Sequence, residues 1–231
     1  MSIAENIAAI RERIDTAARS AGRTGRDILL LGASKMNDAQ RCREAIAAGI
    51  DALGENRVQE MQEKLAQNAY QGAPLHFIGH LQRNKVKNVV GTAALIHSIG
   101  SLELLDEVEK QADKLSLVQD VLLEVNIGGE SAKSGFAPQA VARAAEYALT
   151  LPHVRVRGLM TIPPIAVQPH GNTPYFEKMV RLYVDINEKL YDNTMEYISM
   201  GMSGDYEDAI LCGANLVRVG SGIFGARNYQ K

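Results

Sequence analysis

The chain of 231 residues has room for one large core, and a single α/β barrel fills that length without dividing. Hydrophobic residues make up 46% and charged residues 23%, which excludes a disordered chain; a formal charge of −2, with no run of Lys or Arg, removes the electrostatic footprint of nucleic-acid or anionic-membrane binding. Cys42 and Cys212 lie far apart and outside any CxxC pattern, and residues 1–13 lack the basic start and long apolar run of a signal peptide. Together these features predict a cytoplasmic protein with no disulfide, no metal site and no membrane span.

In chain order, Ser2-Ile3-Ala4-Glu5 has the pattern of a capping box, and Ile3, Ile7, Ile10 and Ile14 share one helical face, so an opening helix is expected to end near Gly22. Apolar runs of strand length follow at 27–33, 51–54, 75–79, 93–98, 118–125, 154–160, 196–200 and 215–220. Amphipathic stretches of helical period separate them at 38–48, 56–70, 81–90, 101–115, 138–150, 174–191 and 203–212. Strands that are nearly all apolar, each followed by a helix, imply parallel strands joined by right-handed crossovers and covered on both faces. The strand count favours closure into one (β/α)8 TIM-type barrel over residues 1–231, with the extra N-terminal helix covering the place a last helix would take. Periodicity alone leaves a doubly wound open sheet as the alternative. The longest irregular stretch, 161–173, carries Pro163, Pro164, Pro169 and Gly171 directly after the sixth strand.

Barrel enzymes work at the C-terminal ends of their strands. Those ends carry Ser34-Lys35, Gly54-Glu55-Asn56, Gly79-His80, Glu124-Val125-Asn126, Gly158-Leu159-Met160, Ser199-Met200-Gly201-Met202-Ser203, and Arg218 before Gly220-Ser221-Gly222. The glycines and serines after strands seven and eight read as two walls of one phosphate cup, or as two tight turns with Ser203 capping the next helix. Gly220, Gly222 and Gly225 also fit G-x-G-x-x-G, but the chain ends before the second strand and acidic residue that a dinucleotide site requires. Arg218, inside a strand, needs a partner: a barrel carboxylate or a ligand anion. Lys35 is either a solvated loop residue or, near Arg218 in a partly dry site, an amine whose charged form is disfavoured and which condenses with aldehydes. His76, His80 and His97 lack metal-ligand spacing and read as polar contacts or satisfied core residues, with His80 nearest a ligand. Residues 128–135 form a glycine-rich, lid-like loop over the mouth.

Several of these segments, in this order, resemble one family throughout the chain. They are Ala33-Ser34-Lys35; Gly54-Glu55-Asn56-Arg57-Val58-Gln59-Glu60; His76-Phe77-Ile78-Gly79-His80-Leu81-Gln82-Arg83-Asn84-Lys85; Lys133-Ser134-Gly135-Phe136; Gly158-Leu159-Met160; Ser199-Met200-Gly201-Met202-Ser203; and Val217-Arg218-Val219-Gly220-Ser221-Gly222-Ile223-Phe224-Gly225-Ala226-Arg227. The family is that of the pyridoxal phosphate homeostasis proteins, related to the N-terminal barrel of alanine racemase. The resemblance implies a fold-type III barrel with pyridoxal 5'-phosphate as cofactor. It implies a Schiff base on Lys35, Ser199, Met200, Gly201, Gly220 and Ser221 around the phosphate, Asn56 near the ring, His80 and Met160 in the site, and Arg218 near the pyridine nitrogen. Met36-Asn37 and the 161–173 loop depart from the family pattern, which bears on substrate preference and not on the cofactor.

An Arg facing the pyridine nitrogen makes the ring a weaker electron sink than an Asp partner does. Racemisation by the alanine-racemase route needs a second acid/base group, which an additional domain of that relative helps to supply and this chain has no room for. The implied function is therefore storage, buffering or delivery of pyridoxal phosphate by a monomer, with apo-enzymes as recipients. A slow amino-acid racemase and a cofactor-free Schiff-base aldolase are the alternatives.

Overall fold

Each apolar run becomes a strand, because a parallel strand buried on both faces is stabilised by apolar side chains whichever way they point. The computed structural model describes residues 1–130 and 132–225; Ser131 of the 128–135 loop and Ala226 and Arg227 of the C-terminal motif lie outside the described residues. The strands are β1 (Leu29–Ala33), β2 (Ala52–Glu55), β3 (Leu75–Phe77), β4 (Leu95–Ile99), β5 (Gln119–Glu124), β6 (Val154–Met160), β7 (Tyr197–Ser199) and β8 (Leu216–Val219). They pair in sequence order, all parallel, into a closed barrel. Closure is decided by β1, which pairs with β2 on one edge and, through Leu31↔Arg218 and its neighbours, with β8 on the other. An open sheet is thereby excluded.

Around the barrel run α1 (Ile3–Ser20), α2 (Ala39–Ala47), α3 (Val58–Ala66), α4 (Leu102–Lys114), α5 (Val141–Ala148), α6 (Thr173–Leu190), α7 (Tyr206–Cys212) and a single turn, α8 (Ser221–Phe224). The capping box forms as its residues predict: Ser2 Oγ accepts from the Glu5 N–H and Glu5 accepts from the Ser2 N–H at 2.7 Å. The isoleucine face of α1 is buried, and α1 packs against α7, α8 and α2, closing the shell where a last barrel helix would lie. Asn6 donates to the Ile223 carbonyl at 2.8 Å, joining α1 to α8.

The expected helix at 81–90 is a 3₁₀ turn over Arg83–Asn88. Between Leu81 and Val86 the chain has only Gln82, Arg83, Asn84 and Lys85, so the apolar spacing of Val86, Val89 and Val90 covers a single turn and does not extend back to Leu81.

Alternation along the strands divides two apolar layers. Leu31, Ala52, Ile78, Leu95, Leu122, Met160 and Leu216 pack inside the barrel, while Leu30, Leu53, Phe77, Ile96 and Val217 face the helices. A one-residue bulge in β6, where Val121 pairs with Val156 and Leu122 with Gly158, puts Met160 inside. Among the described residues no helix is long and apolar enough to cross a membrane.

Candidate functional site

The two-residue period of the strands decides which side chains reach the barrel interior and mouth. Lys35 follows Leu31 and Ala33 in that register, Asn56 follows Ala52 and Gly54, His80 follows His76 and Ile78, and Glu124 follows Leu122. Met160, Ser199 and Arg218 are themselves buried strand residues of the same register. Lys35 is half-buried one residue beyond Ser34, and Asn37 donates back to its carbonyl at 3.1 Å. Because β1 and β8 are neighbours, Lys35 and the 220–222 turn leave the barrel at adjacent strand ends.

Arg218 is buried in the interior. Its Nη1 donates to Ser199 Oγ at 2.5 Å and its Nη2 to the Thr161 carbonyl at 2.9 Å. Among the described residues no carboxylate lies within ion-pair distance of it, so neutral oxygens take the place of the carboxylate or anion that the sequence reading offered. Burial pushes the guanidinium down to about 10, opposed by the more distant charges of Asp205 and Glu124; it remains a cation at neutral pH.

The polar chain continues across the barrel: Ser199 Oγ lies 3.0 Å from His97 Nδ1, and His97 Nε2 lies 3.0 Å from His76 Nδ1. Ser199 Oγ accepts from Arg218, which can only donate. Burial favours the neutral form of both histidines: it pushes His76 down to about 4, and burial, then the charges of His76 and Arg218, hold His97 well below the usual range.

The residues expected to form a phosphate cup find other partners. Ser199 spends its hydroxyl on Arg218 and His97. Met200, one residue on, turns outward into the helix-facing core, and its N–H donates to the Leu216 carbonyl at 3.2 Å. Gly201 is buried at φ 90, and a Cβ there would lie 2.7 Å from Ala209 Cβ and 2.9 Å from Tyr206 Cα, so only glycine lets the turn sit against α7. The side chain that reaches the other wall is Ser203, whose Oγ accepts from the Gly220 N–H at 3.2 Å and the Gly222 N–H at 3.3 Å. It does not cap α7: Asp205 holds the N-cap position. Two backbone donors thus converge on one oxygen, as an anion cup requires, with exposed Ser221 between them.

On the far side of the mouth, a cavity of about 540 Å³ is lined by His80, Glu124, Val125, Asn126, Ser134 and Ile162. The sequence places Glu124 at the end of the fifth strand without giving it a role, although its alternation with Leu122 directs it inside. Burial raises its carboxyl, while the Ser134 hydroxyl, at 3.0 and 3.1 Å from its two oxygens, and the His80 and Arg218 charges pull it down. The 128–135 loop is tied at its C-terminal end, by Ser134 to Glu124 and by Lys133 to the Pro163 carbonyl at 3.1 Å. Asn56 Oδ1 is buried in the mouth without a hydrogen-bond partner among the described residues, and a Cβ on Gly79 would lie 2.1 Å from the Asn56 carbonyl oxygen, so Gly79 permits that close approach. A cavity of about 550 Å³ on the opposite face is edged by Asp120 and Arg155, 2.5 Å apart, a pair that ties the starts of β5 and β6. Among the described residues no cluster of three or more His, Cys, Asp or Glu could hold a metal ion.

Fold and site together define an eight-stranded α/β barrel with a half-buried Lys, a buried Arg and paired backbone donors at its mouth. Residues 3–228 match the alanine racemase N-terminal domain family, and the chain is 44% identical over 229 residues to a pyridoxal phosphate homeostasis protein of Aquifex aeolicus, covering 99% of this chain and 100% of that one. The chain belongs to the pyridoxal phosphate homeostasis protein family. Among solved structures, an unknown protein from Bifidobacterium adolescentis matches with a TM-score of 0.89 at 32% identity, over 96% of this chain and 94% of that one. PipY of Synechococcus elongatus, with pyridoxal phosphate bound, matches with a TM-score of 0.84 at 28% identity, over 97% and 100%.

Proposed function

We propose that residues 1–231 act as one barrel domain that binds pyridoxal 5'-phosphate and holds it in reserve as a cytoplasmic monomer, releasing it to apo-enzymes that need it. The observation that carries this reading is the placement of Lys35, in the inward register of β1, at the strand end next to two N–H groups converging on one oxygen. A ligand with an aldehyde and a phosphate at opposite ends fits such a pair. The buried Asn56 Oδ1, without a partner among the described residues, supplies an acceptor for a ring hydroxyl, and the relatives matched over their full length carry this cofactor in their name or in their bound state.

Pyridoxal phosphate supplies an aldehyde carbon that a primary amine can capture. Lys35 would be the amine. Gly220, Gly222, Ser221, Ser203 and Gly201 would hold the phosphate, and Asn56, His80 and Met160 would border the ring. Arg218 would face the pyridine nitrogen, with Ser199 holding the guanidinium in place. A cation with only protons to offer would keep that nitrogen unprotonated, which disfavours carbanion chemistry and favours holding over turnover.

The test is borohydride reduction of the protein with pyridoxal phosphate, followed by peptide mapping. The label is expected on Lys35 and is expected to vanish in Lys35→Ala. A label on another lysine, or undiminished trapping in the variant, overturns the assignment. Steady α-hydrogen exchange of an L-amino acid in heavy water, dependent on Lys35, would replace holding with turnover.

A further inference from the structure

The residues on either side of Lys35 are both tied to one buried cluster on the outer side of the barrel wall. On the N-terminal side, the Ser34 hydroxyl donates to Glu55 Oε1 at 2.6 Å and the Ser34 carbonyl accepts from Lys64 Nζ at 2.8 Å. On the C-terminal side, the Met36 N–H donates to Glu60. Lys64 joins the two, with Nζ 2.6 Å from Glu55 and 2.8 Å from Glu60. Glu55 and Lys64 are 0% and 4% exposed, and Tyr70 closes the cluster at 3.3 Å from Glu55.

The three N–H groups of Lys64 have three oxygen acceptors, a set that only the ammonium form fills. Burial opposes that charge, but the two carboxylates prevail and leave its pKa raised. Burial lifts the Glu55 carboxyl, and Lys64 and Ser34 oppose the lift. A buried ion pair of this kind is a weak source of net stability compared with apolar packing. Its geometric effect is specific: it holds the chain as it leaves β1 and keeps Met36 at φ 63, a left-handed conformation that a non-glycine residue adopts only when its surroundings impose it.

We propose that Glu55, Glu60 and Lys64 are positioning residues that hold the Lys35 backbone so that its amine stays in the inward register of β1. This rests on the reading of Lys35 as the amine that captures an aldehyde. Two ligands separate aim from general integrity: pyridoxal 5'-phosphate, and pyridoxine 5'-phosphate, which has the same ring and phosphate but an alcohol in place of the aldehyde. Glu60→Ala changes a partly exposed residue and leaves the Glu55–Lys64 pair intact. It is expected to weaken pyridoxal phosphate binding by about tenfold or more and to slow trapping at Lys35, with pyridoxine phosphate affinity unchanged. Glu60→Gln keeps an oxygen acceptor for the Met36 N–H and is expected to restore most of the loss. The double variant Glu55→Gln/Lys64→Met removes the charges as a unit, avoiding an unpaired buried ion, and is expected to give the same split. Equal losses for both ligands, or no loss for either in a variant that melts like the parent chain, overturn the proposal. If the parent chain itself gives no adduct at Lys35, the reading of Lys35 fails and the proposal with it.

Discussion

Arg218 and its partners show how a barrel interior accommodates polar groups without an ion pair. Burying a guanidinium beside a carboxylate would satisfy both charges but fill the space a ligand could use. Here a serine and a main-chain carbonyl accept from it instead, and two neutral histidines continue the chain beyond the serine. The histidines carry a cost that pH reveals. Their folded-state pKa values are depressed, so the stability they permit is complete above about 6.5, the unfolded value, and is lost as pH falls through the folded values. For His76, moved from 6.5 down to about 4, the loss is about 3 kcal/mol by the time it is protonated. The protein is expected to lose stability steeply between pH 6.5 and 4, and His76→Gln to flatten that slope, as read from urea midpoints at a series of pH values. An unchanged slope would show that the pair does not set acid stability.

At the scale of the element, α1 closes the helical shell in the place its sequence predicts. Ile3, Ile7, Ile10 and Ile14 are all buried, and Ile14 is fully so. Arg23, just after the helix, donates to the Ala214 carbonyl at 2.9 Å and also to that of Ile210, fastening the exit of α1 to the end of α7. Ile14→Ala leaves a cavity between α1 and the barrel and is expected to cost about 2–5 kcal/mol, seen as a lower urea midpoint at constant slope. Glu12→Ala, on the exposed face of the same helix, is expected to change stability by less than about 0.5 kcal/mol. Equal effects for the two would mean that α1 does not pack in solution as it does here.

At the scale of the whole molecule, a ligand that binds only the closed barrel stabilises all of it, because the mouth draws on residues from β1, β2, β5, β6, β7 and β8 that exist together only in the folded chain. At a hundredfold excess over its dissociation constant, pyridoxal phosphate is expected to add about 2.7 kcal/mol, which for a chain of this size raises the melting temperature by about 5–10 °C. Inorganic phosphate at the same concentration, which engages the cup alone, is expected to give a smaller shift. No shift with pyridoxal phosphate would contradict binding to the folded state.

The alternation of apolar runs and helical stretches by itself determined eight parallel strands and most of the helices that cover them, because burial on both faces and crossover handedness leave few ways to arrange such a chain, while the β1–β8 pairing that closes the barrel was decided by the tertiary structure. It also determined which residues stand at the strand ends, since a strand must stop where its apolar run stops; Lys35, Asn56, His80 and Arg218 were legible for that reason. Only the tertiary structure decided what each polar group meets. His97 finds Ser199 across 102 positions, Ser203 reaches Gly220 and Gly222 in place of a cap, Met200 turns away from the cup, and Lys64 bridges Ser34 to Glu55 and Glu60. Apolar burial is a property of each residue in its own strand and so is written locally. A hydrogen bond needs two groups brought together at about 3 Å, and closing the barrel is what sets that distance.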